Sequence, residues 1–170
     1  MQHINGLVAC SGLMGFSKHT AKQSDEEVFR WLSHYYELIG DMVSEANGKV
    51  IKFMGDAALI FFPEHSADAG VQAMLQLIRK GDRFLTEGGM PCRHHVRIHF
   101  GPVCAGPLGT RAEKYLDILG STVNALFLLK GTGCVLTPEA FRKLNPETRK
   151  LFKKHTPPVS YIPLEQTHRD

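Results

Sequence analysis

Two short apolar runs joined by only two residues do most to restrict how this chain can fold. The run KVIKFM (49–54) is followed by Gly55 and Asp56 and then by AALIFF (57–62). Gly and Asp are favoured in tight two-residue turns between antiparallel strands. The sequence therefore predicts a β-hairpin with Asp56 at its tip.

Helical patterns flank this hairpin on both sides. Ser24 precedes the acidic residues 25–27, which together form a capping box suited to a helix N-terminus. Apolar residues then repeat at spacings of three and four until Asn47-Gly48, a common helix stop. A second amphipathic helix is expected from near Ser66 to the Gly88-Gly89 break.

The other segments complete an α+β pattern. Strand, helix, strand, strand, helix, strand is the order of a ferredoxin-like βαββαβ core, here with a C-terminal α/β extension. With 170 residues, of which 43% are hydrophobic, we expect residues 1–170 to form a single domain. The further expected segments are a strand from Ile4 to Phe16, the strands HHVRIHFGPV, KYLDIL and CVLT, helices from Thr122 to Lys130 and in PEAFRKL, and an extended tail VSYIPLEQ.

Composition narrows the possible functions. Twenty Lys and Arg residues against 17 Asp and Glu give a formal charge of +3, which is too small and too scattered to indicate nucleic-acid binding. The four cysteines lack CxxC spacing, which argues against a zinc site or a disulfide framework and favours a cytoplasmic location. No run approaches the roughly 20 apolar residues of a membrane span. His94, His95 and His99 are interpreted as polar strand residues, because no third metal ligand accompanies them.

Three segments, in this order, resemble the class III adenylyl and guanylyl cyclase catalytic domain. They are GLVACSGLMGFS (6–17), VIKFMGDAALIFF (50–62), and VRIHFGPVCAGPLG (96–109) followed by YLDILGSTVNAL (115–126). The resemblance implies conversion of a nucleoside triphosphate to its 3',5'-cyclic monophosphate and pyrophosphate. It also implies two metal ions, Mg²⁺ or Mn²⁺, held by two aspartates, and active sites at a head-to-tail dimer interface.

Four polar residues match positions that carry function in this family. By resemblance, Asp56 is one of the metal-binding aspartates, Lys52 contacts the adenine ring, Asp117 accepts from the adenine amino group, and Asn124 orients the ribose. A lysine donor with a carboxylate acceptor suits an ATP-like nucleotide, whereas a guanine site would carry a carboxylate at the Lys52 position. Each of these residues also has a plainer explanation. Asp56 would be an ordinary turn aspartate, Lys52 a solvated strand residue, Asp117 a loop residue before a helix, and Asn124 an exposed polar helix residue.

The phosphates have weaker candidates. Gly15 and Phe16 match the end of the family's glycine-containing loop, whose backbone amides could hold phosphate. A lysine that contacts the triphosphate has two candidates, Lys153 and Lys154. We favour Lys154. A solvated basic cluster explains that pair equally well.

Two departures from the family pattern bear on activity. Gly12 stands where the family has its second metal aspartate, and Leu128 stands where it has its transition-state arginine. Lys130 is expected to point away from the Leu128 position. We therefore expect a cyclase-homology domain with an ATP-type pocket, weak or inactive in cyclic nucleotide synthesis, that acts in regulation or dimerisation. The alternative is an active adenylate cyclase with divergent metal binding, alone or as half of a heterodimer.

Dimerisation with a second cyclase domain, identical or not, is also expected from the surface. Leu126 to Leu129 would leave apolar side chains uncovered in an isolated chain.

Overall fold

A computed structural model describes residues 1–156 and 158–167. These residues form one eight-stranded sheet with helices on both faces. None of the helices in these ranges is long and apolar enough to cross a membrane. The strands are β1 Gln2–Met14, β2 Lys49–Met54, β3 Ala57–Pro63, β4 Arg93–Gly109, β5 Lys114–Leu119, β6 Cys134–Leu136, β7 Phe152–His155 and β8 Ser160–Pro163. The helices are α1 Phe16–Thr20, α2 Asp25–Glu45, α3 Ala67–Glu87, α4 Ser121–Leu128, α5 Pro138–Arg142 and α6 Pro146–Arg149, with a short 3₁₀ helix Glu64–Ser66 before α3.

The predicted α+β, ferredoxin-like core is confirmed. Strand β1, helix α2, strands β2 and β3, helix α3 and strand β4 follow one another in the chain. In the sheet the strand order is β2-β3-β1-β4-β6-β8-β7, with β5 paired to β4 alone. The pairs β2/β3, β3/β1 and β1/β4 are all antiparallel, as this core requires. The C-terminal extension adds β6 parallel to β4, followed by β8 and β7.

Strand β1 lies inside the sheet, between β3 and β4, and contributes side chains to both of its faces. Leu7 and Leu13 belong to the large buried cluster that contains side chains of α2 and α3. Val8 and Cys10 belong to a second cluster on the other side, which includes Leu126 of α4. Since neighbouring residues of a strand point to opposite faces, β1 supplies both clusters. We call the side covered by α2 and α3 the core face and the side that carries α4 the site face.

The local signals in the sequence form as predicted. The Ser24 hydroxyl accepts a hydrogen bond from the Glu27 backbone N–H at 3.3 Å, and the Glu27 carboxylate accepts from the Ser24 backbone N–H at 2.9 Å. Asn47, with a φ of 57°, ends the turn after α2. Gly55 adopts a φ of 64° in the two-residue turn between β2 and β3. The capping box, the helix stop and the hairpin are thus confirmed.

Several predicted boundaries were wrong. Strand β1 ends at Met14 instead of Phe16, because Gly15 takes up a left-handed conformation with φ 86° and α1 begins at Phe16. Helix α4 covers Ser121–Leu128, so Lys130 lies beyond its end. The prediction that Lys130 points away from the Leu128 position assumed that both lie on one helix, and that assumption was wrong. Helix α6 and strand β7 were not predicted, since each is only four residues long and gives almost no periodic signal.

His94 lies on a strand as predicted, and the structure adds that its side chain belongs to the core. Its side chain is completely buried on the core face. The Tyr35 hydroxyl lies 2.8 Å from Nε2, and Asp82 Oδ1 lies 2.8 Å from Nδ1. The same carboxylate accepts a hydrogen bond from the His94 backbone N–H. Burial lowers the pKa of His94, and the neighbouring Asp82 carboxylate opposes this shift only in part.

This buried imidazole predicts a pH-dependent stability. In the unfolded chain His94 takes up a proton near its ordinary pKa of about 6.5, whereas the folded state resists protonation. Burial lowers the pKa values of His95 and His99 too, so all three act in the same direction. The free energy of unfolding should therefore be highest above about pH 6.5 and fall below it, by at most about 1.4 kcal/mol per pH unit for each histidine.

Urea unfolding at pH 7.5 and pH 5.5 measures this effect. His94→Gln should reduce the decrease in the free energy of unfolding between pH 7.5 and pH 5.5. His34→Gln, at an exposed position on α2, is the matched control and should leave the fall unchanged. The account of His94 is wrong if the two variants show the same pH dependence.

Candidate functional site

Lys52 and Asp117 meet on the site face. Lys52 lies on β2 and Asp117 on β5, 65 positions later in the chain, and Lys52 Nζ donates to Asp117 Oδ2 at 2.7 Å. The carboxylate is held by a second bond, since Oδ1 accepts from the Ile118 backbone N–H at 2.8 Å. Strands β2 and β5 are not neighbours in the sheet, so β5 must fold over the site face for this contact to form. The two side chains place a donor and an acceptor next to each other.

Asp56 has a structural partner that the sequence did not reveal. Its Oδ2 accepts a hydrogen bond from the Leu13 backbone N–H at 2.8 Å. The hairpin tip is therefore tied to the end of β1, beside the loop that follows Met14. The hairpin is further held by Tyr36, whose hydroxyl donates to the Gly55 carbonyl at 2.6 Å. One carboxylate oxygen of Asp56 has no hydrogen-bond partner among the described residues and remains for a ligand.

Gly15 and Phe16 stand side by side in this loop but differ in their surroundings. A Cβ atom added to Gly15 would meet no atom within 4 Å, so the backbone is open to solvent there. The Phe16 ring packs against the core instead, with its centroid 6.2 Å from that of Trp31. The partly buried Phe16 side chain therefore contributes to packing, and its backbone is the candidate contact for phosphate.

Helix α4 presents Asn124 and Leu128 to solvent. Asn124 is exposed in the first half of α4, and its backbone N–H donates to the Gly120 carbonyl. Leu128 is 81% exposed at the last residue of the helix. The expectation that Leu126 is uncovered was wrong, because that side chain is completely buried in the cluster on the site face. Phe127 and Leu128 are the exposed apolar residues of this helix.

Lys153 and Lys154 lie far in space from the other candidate residues of the same chain. Both belong to β7, which three strands (β4, β6 and β8) separate from β1. At about 4.8 Å per strand, β7 is roughly 19 Å from β1. Lys153 Nζ donates to the Leu164 carbonyl at 2.8 Å, and Lys154 is exposed. The structure thus does not bring these lysines together with Asp56 or the Gly15 loop within one chain.

Sequence reasoning missed the surroundings of Gly12. Gly12 is buried in β1 and lies directly opposite His95 of β4. A Cβ atom added to Gly12 would stand 2.6 Å from His95 Nε2, so the imidazole fills the space of a side chain at residue 12. Arg97 follows on the same face of β4, opposite Cys10. Burial lowers the pKa of His95, which the nearby Arg97 charge lowers further.

A signal for this arrangement was present in the sequence. In VRIHF the residues at alternate positions are apolar, so Arg97 must share one face of β4 with His95 and His99. Which residues of β1 this face meets depends on the pairing register, which the sequence alone does not supply.

Comparisons with known proteins agree with this fold. The crystal structure of the adenylyl cyclase CyaB from P. aeruginosa superposes with a TM-score of 0.83 over 98% of this chain and 96% of that chain, at 16% sequence identity. The crystal structure of the guanylyl cyclase Cya2 gives a TM-score of 0.78 over 94% and 91% of the two chains, at 19% identity. Identities this low support the fold alone.

Sequence comparison identifies the family. An adenylate cyclase of Anabaena cylindrica is 25% identical in an alignment 154 positions long, which covers 82% of this chain and 31% of that protein. This chain therefore spans about a third of the length of that relative. The family model of the adenylate and guanylate cyclase catalytic domain matches residues 6–136, most of the chain. The chain belongs to the adenylate and guanylate cyclase catalytic domain family.

Proposed function

We propose that this chain is a cyclase-homology domain that binds an adenine nucleotide, makes little or no cyclic nucleotide, and acts as a regulatory or dimerising domain. The observation that carries the proposal is the contact of 2.7 Å between Lys52 and Asp117. An ammonium donor beside a carboxylate acceptor matches adenine, which offers ring nitrogen acceptors and an amino donor. Guanine offers two neighbouring donors at N1 and N2, for which the lysine is unsuited.

The metal-binding residues do not fit two divalent ions. Among residues 1–156 and 158–167, no group of three or more His, Cys, Asp or Glu side chains is arranged to hold a metal. Asp56 is the one carboxylate at the predicted position, and the imidazole of His95 fills the space beside Gly12. These residues fit at most one Mg²⁺ or Mn²⁺ ion. Asp56 and phosphate oxygens would hold that ion, and a single protein carboxylate would hold it weakly.

The position of the transition-state arginine supports weak or absent catalysis. Leu128 is apolar and 81% exposed, so it offers no charge to a phosphate group. An arginine that stabilises phosphoryl transfer typically contributes a thousandfold or more in rate. Two identical chains would both lack it, so forming a homodimer does not restore this contribution.

Exposed apolar side chains support the dimerising role. Leu108, Tyr115, Leu116 and Leu119 on the β4–β5 hairpin are between 41% and 69% exposed. Phe127 and Leu128 add to the apolar surface on α4. A set of large exposed apolar residues on neighbouring elements is typical of an interface with another protein.

A heterodimer is the second candidate. Lys52, Asp117 and Asn124, which read the base and ribose by resemblance, are all retained, whereas the residues expected at Gly12 and Leu128 are not. A complementary cyclase domain that supplies the missing carboxylate and arginine would complete one active site.

Nucleotide binding tests the base-reading pair. Isothermal titration calorimetry should show that ATP binds more tightly than GTP, in the presence of Mg²⁺. Lys52→Glu should reduce ATP affinity by about tenfold or more and move the preference away from ATP, because a charged donor is replaced by an acceptor. Lys80→Glu, at an exposed position on α3, is the charge-matched control. Equal ATP affinity in the two variants would rule out this pocket.

Metal binding tests whether His95 prevents tight binding of a divalent ion beside Asp56. A carboxylate at residue 12 must displace the imidazole, so Gly12→Asp alone should gain little Mn²⁺ affinity. The double variant Gly12→Asp/His95→Ala should bind Mn²⁺ at least about tenfold more tightly than the wild type, because two carboxylates then face one ion. Calorimetric titration with MnCl₂ measures both. Gly40→Asp, at a position where a Cβ meets no atom within 4 Å, controls for the added charge. A full gain in the single variant would contradict the role given to His95.

A further inference from the structure

A cavity separate from the candidate nucleotide site opens at the end of the sheet where β1 ends and β4 begins. It has a volume of about 720 Å³ and lies between α3 and the segment that follows β8. Small-molecule sites typically have volumes of roughly 300–1,000 Å³. In the part of the chain that the structure describes, none of Lys52, Asp56, Asp117 and Asn124 lines it. This cavity, which we call the α3 cavity, is therefore large enough for a ligand of its own.

One side chain fixes the wall that the segment after β8 contributes. Gln166 Oε1 accepts a hydrogen bond from the Cys134 backbone N–H at 2.8 Å, and Nε2 donates to the Thr132 carbonyl at 2.5 Å. Gly133 has no room for a side chain, because the Gln166 carboxamide lies against it. The wall is thus formed before a ligand arrives, which lowers the entropy cost of binding.

Part of the cavity surface is apolar. Leu75 and Ile78 lie three residues apart on one face of α3, and Met14 and Pro163 extend this apolar surface from β1 and β8. The Met14 side chain is 38% exposed although it is large and apolar. A ligand with an apolar body would remove this surface from water, which favours binding.

The charged part of the lining has unused hydrogen-bond donors. Arg79 contacts Glu165 at 3.4 Å, and Arg93 lies 3.6 Å from an oxygen of Asp82. Both distances exceed the roughly 2.7–2.9 Å of a strong charged hydrogen bond. In the described part of the chain, neither guanidinium group has another partner. The other oxygen of Asp82 already accepts two hydrogen bonds from His94. Most of the free capacity in the cavity therefore belongs to the two guanidinium groups.

We propose that the α3 cavity binds a small organic carboxylate with an apolar body. The planar forks of Arg79 and Arg93 match the two oxygens of a carboxylate, and the apolar body would lie against Leu75 and Ile78. Two arginines and two carboxylates balance in the lining, so a singly charged ligand fits better than a polyphosphate. The inference goes beyond the proposed nucleotide site and does not depend on it.

An NMR titration with 2-naphthoate tests this inference and locates the ligand. The wild-type chain should bind 2-naphthoate with a Kd of about 1 mM or tighter, the affinity typical of a ligand of this size. Backbone amide signals of residues 75–82, 132–134 and 164–166 should shift. The cation 2-naphthylmethylammonium has the same rings, and acetate has the charge without an apolar body. Each should bind at least about tenfold more weakly than 2-naphthoate.

Two arginines on α3 provide matched variants. Arg79→Gln should weaken binding of 2-naphthoate by about tenfold, because a charged hydrogen bond is lost. Arg83→Gln is the control, since Arg83 is also exposed and pairs with Glu87 at 3.3 Å but does not line the cavity. Circular dichroism verifies that each variant is folded. Should Arg79→Gln not fold, Arg93→Gln takes its place, with the same expected loss.

Three results would overturn the inference. The first is an absence of shifts at residues 75–82, and the second is equal binding of 2-naphthoate and its ammonium analogue. The third is equal binding by Arg79→Gln and Arg83→Gln. Lys52→Glu separates the inference from the proposed function, because this variant should bind 2-naphthoate like the wild type. Loss of binding in Lys52→Glu would place the carboxylate in the nucleotide site and contradict the inference, whereas a failure of ATP binding would contradict only the proposed function.

Discussion

The antiparallel pairing of β1 with β4 is the interaction on which the rest of the structure depends. It runs from Gln2 opposite Ala105 to Met14 opposite Arg93 without interruption. This register places Leu13 opposite His94 on the core face and Gly12 opposite His95 on the site face. Because side chains alternate along a strand, a shift of one residue would exchange the two sets. Burial of the apolar core-face residues therefore also determines what surrounds Gly12.

Histidines that are neighbours on β4 have different surroundings. On the core face, His94 is fully buried and both ring nitrogens have partners, in Tyr35 and Asp82. This arrangement meets the general requirement for a buried polar residue and explains it without a ligand. On the site face, His95 and Arg97 have shielded nitrogens with no partner in the described residues. The same strand thus carries a histidine whose two ring nitrogens are paired and, on its other face, two side chains with a shielded and unpaired nitrogen.

Much of the fold follows from local sequence signals. The capping box at Ser24, the stop at Asn47 and the turn at Gly55 each depend on a few consecutive residues, and each forms as predicted. The boundaries of β1 and α4 were less predictable, because the residue at which such an element ends depends on single backbone angles such as the φ of Gly15. The four-residue elements α6 and β7 are too short for a periodic pattern and depend on tertiary pairing.

The candidate site was predictable only where a family resemblance linked distant residues. Nothing in the composition or periodicity relates Lys52 to Asp117, yet resemblance placed both at one base and the structure brings them into contact. Resemblance also marked Gly12 and Leu128 as departures. It did not indicate His95, because the proximity of His95 to Gly12 arises from the β1/β4 register and not from neighbouring residues in the chain. Long-range pairing is the information that a single sequence lacks.

A nucleotide site that has lost its two-metal chemistry is the central claim, and a turnover measurement tests it most directly. The purified chain would be incubated with each of the four nucleoside triphosphates and Mg²⁺ or Mn²⁺, with chromatographic detection of cyclic monophosphates. The account predicts little or no cyclic product from any triphosphate while the chain remains folded and binds ATP. Rapid formation of cyclic AMP that disappears in Asp56→Ala would contradict it and establish that Gly12 and Leu128 are compensated.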